Sequence, residues 1–388
     1  MIDRQVEDEL RLLKNEFPIL AILGPRQSGK TTLSKKVFPE YQYISLEDFD
    51  HREFAQNDPR GFLRKYSKDI IFDEIQRVPP LMSYLQTHVD TLNANGRIII
   101  TGSHNFFLME QISQSLAGRV GITKLLPFSI YELSEYQKSL NDYIFTGSYP
   151  RIYDQDIRPD VFYKNYISTY IEKDIRQIKQ VTKLDQFMKF LRLLAGRTGQ
   201  ELNLSKLGEE CGVAHNTIND WISILEASFL IYKLKPYHKN YNKRLVKNSK
   251  IFFTDSGLVC SLLGIRRSEE LDYHFLRGNI FETFIVSEFL KGCYNTGEKF
   301  ELFFWRDNHQ KEIDLIVDYG INQFGIEIKS SATVHDKHFS GLQYWMNLSE
   351  KNPEDMFLLY GGDSSYLRNN MNVCAWQDTF EKIIRRAI

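Results

Sequence analysis

The nine residues Gly24-Pro25-Arg26-Gln27-Ser28-Gly29-Lys30-Thr31-Thr32 follow an apolar run, Ile19–Leu23, and open an amphipathic stretch, Lys30–Val37. They fit G-x-x-x-x-G-K-[ST], and strand, loop, helix is the context in which that spacing has a physical meaning. Such a loop turns its backbone N–H groups inward. It needs glycine where a side chain would block close approach, and it ends at the positive pole of a helix. This is a place built for phosphates, and it requires a parallel sheet behind it. Short apolar runs at 41–46, 70–72, 97–101 and 122–125, alternating with helical stretches at 81–93 and 108–116, supply that pattern.

The expected ligand is a nucleoside triphosphate with Mg²⁺. Gly24 to Thr32 would wrap the phosphates, Lys30 would contact the β- and γ-phosphates, and the Thr31 hydroxyl would ligate the metal. The apolar run Ile70-Ile71-Phe72 ends in Asp73, which would hold Mg²⁺ directly or through water. Glu74 follows, placed to take a proton from an attacking water, which favours hydrolysis over transfer to a small acceptor. Another apolar run leads into Gly102-Ser103-His104-Asn105, and Thr101, Ser103 or Asn105 can reach the γ-phosphate. Arg119 is a candidate arginine finger, in its own site or, in a homo-oligomer, in a neighbour's. The alternative for it is a surface ion pair.

Composition bounds the rest. The chain has 388 residues, 42% hydrophobic and 26% charged, which excludes a disordered or collagenous polymer and suggests two or three domains. No apolar run reaches the roughly 18 residues of a membrane span, and the opening residues lack a signal peptide's plan, so a cytoplasmic protein without a membrane partner is expected. Cys211, Cys260, Cys293 and Cys374 are widely spaced, which reads as reduced thiols rather than a zinc or disulfide framework.

The net charge of −1 speaks against a nucleic-acid partner until it is read along the chain. Positions 205–221 read as a helix-turn-helix, with Gly212 at the turn and His215, Asn216, Thr217 and Asn219 on the face that would meet a major groove. Positions 229–253 then carry seven bases and no acid: Lys233, Lys235, Lys239, Lys243, Arg244, Lys247 and Lys250. With Tyr232, Tyr237 and Tyr241 interleaved, this reads as a basic wing that tracks DNA. A protein-contact module is the alternative.

Near the C-terminus, Glu312-Ile-Asp314-Leu-Ile-Val317 and Gly325-Ile-Glu327-Ile-Lys329 read as neighbouring strands. If the turn is centred between Gly320 and Ile321, Asp314 faces Glu327, with Cβ atoms about 4.5–5.5 Å apart. The two carboxylates can then share a Mg²⁺, with Lys329 orienting a water and Glu282, on a preceding helix, adding a ligand. The alternative is a salt-bridged cluster without catalytic activity. Asp314 with Glu327-x-Lys329 and the helix Glu resembles the restriction-endonuclease-like nuclease core.

Several further motifs carry a family resemblance. The loop at 24–32, Phe-Asp-Glu-Ile-Gln at 72–76, Ile-Thr-Gly-Ser at 100–103, Leu-Ala-Gly-Arg at 116–119 and Leu-Pro-Phe-Ser at 126–129 resemble a large prokaryotic family of AAA+ ATPases with a C-terminal domain of unknown function. Tyr170–Ile175, Thr254-Asp-Ser-Gly-Leu258, Phe281–Ile285, Trp305-Arg-Asp307 and Ile326–Lys329 look like signatures of that C-terminal domain. The expected architecture is α/β in four parts. Residues 1–135 form an AAA+-type P-loop NTPase domain with a parallel sheet, and 136–190 a helical connector or lid. Residues 191–253 form a winged helix-turn-helix unit, and 254–388 a restriction-endonuclease-like mixed α/β domain. The expected function is Mg²⁺-dependent ATP hydrolysis coupled to DNA engagement, with metal-dependent nucleic-acid cleavage or a non-cleaving recognition role at the C-terminus.

Overall fold

The computed structural model of the chain describes residues 2–103, 115–171, 184–237, 248–297, 300–307, 309–320, 322–378 and 383. Its contacts fall into two compact units. The first is Met1–Phe128 with the short pieces Ala227–Phe229 and Tyr294–Gly297; the second is Ser129–Glu226, Leu230–Cys293 and Glu298–Ile388.

The first unit is built on a parallel sheet of β1 (Ile19–Leu23), β2 (Gln42–Ser45), β3 (Ile70–Asp73), β4 (Ile98–Gly102) and β5 (Val120–Lys124), in the order β2-β3-β4-β1-β5. Every residue of β1, β3 and β4 is buried, as a parallel sheet covered by helices on both faces requires. This is why those strands read as unbroken apolar runs. The helices Lys30–Val37 and Leu81–Leu92 lie where periodicity puts them, while Glu7–Glu16, Phe49–Asn57 and Pro59–Lys65 have no counterpart in the sequence reading. Most of the expected helix at 108–116 falls outside the described residues, as do His104 and Asn105.

The second unit holds a mixed sheet of nine strands: β6 (Gln200–Glu201), β7 (Ile231–Pro236), β8 (Lys250–Phe253), β9 (Glu301–Arg306), β10 (Glu312–Asp318), β11 (Gln323–Lys329), β12 (Met356–Tyr360), β13 (Tyr366–Arg368) and β14 (Met371–Ala375). Their order is β13-β14-β12-β11-β10-β9-β7-β8-β6. The stretch expected as a separate middle unit, 191–253, contributes β6, β7 and β8 to this sheet. Strand β7 pairs with β9 through Lys235↔Phe303 and Pro236↔Phe304, so the presumed wing and the C-terminal strands share one sheet. Backbone pairing of this kind outweighs the composition change that suggested a boundary.

Across 205–221 lie two helices, Leu204–Cys211 and His215–Ala227, with Gly212 left-handed at φ 69° between them. Leu207, Cys211, Ile218, Trp221, Ile222 and Leu225 are buried, while His215, Asn216 and Asn219 are exposed. Two residues assigned to the wing have other roles. Tyr237 is buried against Phe303 and Trp345, and Lys233 pairs with Glu226 at 2.7 Å. Lys239, Tyr241, Lys243, Arg244 and Lys247 lie outside the described residues.

A buried carboxylate knits the helical part of this unit. Asp255 accepts from Ser148 N (2.8 Å), Ser148 Oγ (2.9 Å), Tyr163 OH (2.6 Å) and Leu258 N (2.9 Å), the last capping the helix Ser256–Leu263. Gly147, at φ 67°, sits so close that a Cβ would lie 1.9 Å from Tyr163 OH. The Thr254-Asp-Ser-Gly run and the break at Thr146–Pro150 are thus two sides of one polar core. Cys211, Cys260 and Cys374 are buried thiols and Cys293 is half-buried, and among the described residues none of the four forms a disulfide. Among the described residues no helix is long and apolar enough to cross a membrane.

Candidate active site

The loop between β1 and the helix Lys30–Val37 lies at the C-terminal edge of the first sheet. Gly24 must be glycine because an added Cβ would lie 2.1 Å from the Leu125 carbonyl oxygen. Gly29 caps the helix at φ 94° with no side-chain cap, which leaves the first helical N–H groups for an anion. Ser28 Oγ is buried with no hydrogen-bond partner among the described residues. Lys30, 5% exposed, donates to Gly24 O (3.0 Å) and Pro25 O (2.8 Å), so its ammonium curls back over the loop. Arg26 faces Glu47 at 3.8 Å, and Gln27 adopts φ 61°. Thr32 follows Thr31 in the helix's first turn.

Strand β4 lies between β1 and β3, so the end of β4 sits between the loop and Asp73. The Thr31 hydroxyl donates to Asp73, 3.0 Å from Oδ1 and 3.1 Å from Oδ2. Thr101 Oγ1 also donates to Asp73, and Tyr43 OH donates to Asp73 Oδ2 at 2.7 Å. Hydroxyl and carboxylate therefore meet, and together they could hold a Mg²⁺ ion with phosphates and water. Burial and the hydrogen bond to Asp73 push the Tyr43 phenol well above its ordinary value, which keeps it a donor.

Glu74 adopts φ 57°, a left-handed conformation that costs a non-glycine residue about 1–3 kcal/mol and that clusters at functional sites. Its N–H donates to Thr101 Oγ1 (3.2 Å), and its carboxylate accepts from Ser103 Oγ (3.0 Å) and Gln76 Nε2. Gln76 also donates to Ser103 Oγ at 3.2 Å. The sequence reading therefore placed Lys30, Thr31, Asp73, Glu74 and Ser103 at one site. It missed Tyr43, Gln76 and Arg4, whose guanidinium holds Ser28 O (3.1 Å) and Leu126 O (2.7 Å). Gln76 stood inside a quoted motif, but nothing in the local pattern marks Tyr43 or Arg4.

Arg119 is a correction as a finger in its own site. Val120 pairs with Ile19, at the opposite end of β1 from the loop, roughly 16 Å away over five residues of strand. Its guanidinium makes a two-pronged pair with Asp90, Nε to Oδ1 at 2.7 Å and Nη2 to Oδ2 at 2.9 Å. This is the surface alternative.

In the second unit the register of β10 and β11 is the one a turn centred between Gly320 and Ile321 demands: Leu315↔Ile326, Ile316↔Gly325 and Asp318↔Gln323. Asp314 Oδ2 accepts from Ile328 N at 2.8 Å and faces Lys329 Nζ at 3.5 Å, while Glu327 Oε1 takes Lys329 Nζ at 2.6 Å. Lys250, which had been assigned to the DNA-facing wing, is instead 4% exposed. Its Nζ pairs with Glu282 Oε1 at 2.9 Å and Glu312 Oε1 at 2.5 Å. The three acids expected to share a metal, Glu282, Asp314 and Glu327, each lie against a lysine. Among the described residues no group of three or more His, Cys, Asp or Glu side chains could hold a metal ion.

Burial, and then the neighbouring Asp314, push Glu327 up to about 8. Burial raises Glu282 to about 7 against the pull of Lys250. Burial alone would depress the Lys250 and Lys329 ammoniums, but the surrounding acids hold both above their ordinary values. For the two glutamates the folded chain holds protons that the unfolded chain, titrating near 4.5, releases. Their stabilisation is therefore complete below that value and is lost as pH rises through about 7 and 8. Calorimetry of the full chain is expected to show the second unit's Tm falling between about pH 5 and 9, at about 2–4 °C per kcal/mol. Glu327→Gln should flatten that slope; an unchanged slope would contradict the assignment.

Comparison with known proteins places names beside these geometries. Residues 16–134 match a family model described as an AAA domain. Residues 137–269 match a domain of unknown function (DUF8612), and 277–378 another (DUF4143). The chain is 29% identical to the Mycobacterium tuberculosis uncharacterized protein Rv2008c over 336 residues, spanning 85% of this chain and 74% of that protein. It is 22% identical to the Methanocaldococcus jannaschii uncharacterized protein MJ1544 over 364 residues, 84% and 77% of the two chains. A solved Walker-type ATPase of Pyrococcus abyssi aligns at 15% identity and TM-score 0.47, covering 68% of this chain and 96% of that one. The site and the AAA domain match together make residues 16–134 a P-loop, AAA-type ATPase module.

Proposed function

We propose that this chain hydrolyses ATP with Mg²⁺ at the Gly24–Thr32 loop and uses the turnover to switch a second unit that engages DNA. The observation that carries the reading is the meeting of the Thr31 hydroxyl with the Asp73 carboxylate beside Lys30, with Glu74 next in the chain. Gly24 to Thr32 hold the phosphates, Lys30 supplies positive charge to the β- and γ-phosphates, and Thr31 with Asp73 holds the metal. Bound Mg²⁺ would neutralise charge that develops on the phosphates. Glu74, oriented by Ser103 and Gln76, takes the proton of the attacking water.

The DNA part rests on the exposed polar start of the helix His215–Ala227 and on the basic residues Lys239, Lys243, Arg244 and Lys247. Reversing charge in a Lys243→Glu/Arg244→Glu double variant should weaken duplex binding and lower its salt slope by about 2. Unchanged affinity in a fluorescence titration would move this segment to a protein partner. Cleavage by the C-terminal acids is the part of the sequence reading that the geometry does not favour. Lys250 between Glu282 and Glu312 supports the other alternative, a recognition domain that cuts nothing.

A further inference from the structure

We infer that Lys250, rather than a divalent cation, is the positive charge around which the C-terminal acids are built, and that it closes the cluster to Mg²⁺ and Mn²⁺. Lys250 opens β8, and its backbone is paired on both sides, with Glu201 of β6 and Leu234 of β7. The side chain is 5% exposed. Its ammonium meets Glu282 Oε1 at 2.9 Å, Glu312 Oε1 at 2.5 Å and the face of Phe304, 5.4 Å from the ring centroid. Three sides of the cation are thereby occupied by two carboxylates and a ring.

The remaining acids are engaged in the same way. Lys329 takes Glu327 Oε1 at 2.6 Å and faces Asp314 Oδ2 at 3.5 Å, and that oxygen also accepts the Ile328 N–H. Arg306 adds Nε at 3.6 Å to Glu312 Oε2 and Nη1 at 2.9 Å to Glu201. Each carboxylate proposed as a metal ligand thus already gives an oxygen to a lysine. Mg²⁺ demands oxygens at about 2.0–2.1 Å in near-octahedral array. To reach Glu282 and Asp314 together it would have to sit beside an ammonium in a buried, low-dielectric position, where like charges repel strongly. Glu327 Oε2 is buried with no hydrogen-bond partner among the described residues, but one oxygen does not make a Mg²⁺ site. The same geometry that neutralises the acids therefore keeps the metal out.

The test is Mn²⁺ binding to the full chain without nucleotide, read by electron paramagnetic resonance, in an Asp73→Ala background that removes the phosphate-loop metal position. That chain should show no bound Mn²⁺. Adding Lys250→Met should create one bound Mn²⁺ per chain, and adding Asp314→Ala to that variant should remove it. A folded Lys250→Met chain that gains no Mn²⁺ would overturn the role of Lys250. If Lys250→Met does not fold, the Lys250-intact chain still decides: bound Mn²⁺ that Asp314→Ala releases overturns the inference, and no bound Mn²⁺ supports it. The outcome is independent of whether the phosphate loop hydrolyses ATP.

Discussion

Glu74→Gln is expected to bind ATP within about twofold of the parent chain and to turn it over about 10²- to 10⁴-fold more slowly, the span a positioned base contributes. The Glu74 N–H is tied to Thr101 Oγ1, whose hydroxyl also donates to Asp73, so the backbone at the end of β3 is fixed by the metal-side carboxylate. The side chain is aimed by Ser103 and Gln76. Glutamine keeps the length and an acceptor for Ser103 but cannot take a proton. Nucleotide titration and single-turnover phosphate release separate the two effects. Parent-like turnover would place the base elsewhere.

The second large effect is on binding. Lys30→Ala removes a charge-assisted donor worth about 1.5–3 kcal/mol, which lowers ATP affinity roughly 10- to 150-fold. The fold should survive, because Lys30 Nζ donates to two loop carbonyls, Gly24 O and Pro25 O, and both can turn to water. A fluorescent ATP analogue reports the affinity, and circular dichroism reports the fold. Retained affinity in a folded variant would mean that the loop does not use its lysine for phosphate.

The phosphate loop was legible because its chemistry is carried by neighbours in the chain. Gly24 to Thr32 is one segment, and Asp73 and Glu74 end an apolar run whose burial on both faces made it unmistakable as a strand. The β10–β11 register was legible for a similar reason, since one turn fixes every pairing beyond it. What failed depended on long-range packing. Lys250 looked like one more base on a wing, and only the pairing of β8 between β6 and β7 turns it inward to Glu282 and Glu312, 32 and 62 positions away in sequence. Tyr237 looked like a stacking aromatic, and the parallel pairing of β7 with β9 buries it beside Trp345. Arg119 followed a family motif, but a parallel sheet has two ends, and spacing in sequence did not say which end it occupies.

Magnesium-dependent phosphate release from ATP, measured side by side for the parent chain, Lys30→Ala and Glu74→Gln, tests the central claim most directly. The account predicts release by the parent that chelation of Mg²⁺ stops. It also predicts release from Lys30→Ala lowered about 5- to 75-fold at an ATP concentration near the parent's KM, and ATP binding with release slowed about 10²- to 10⁴-fold by Glu74→Gln. Equal release from all three chains would contradict it.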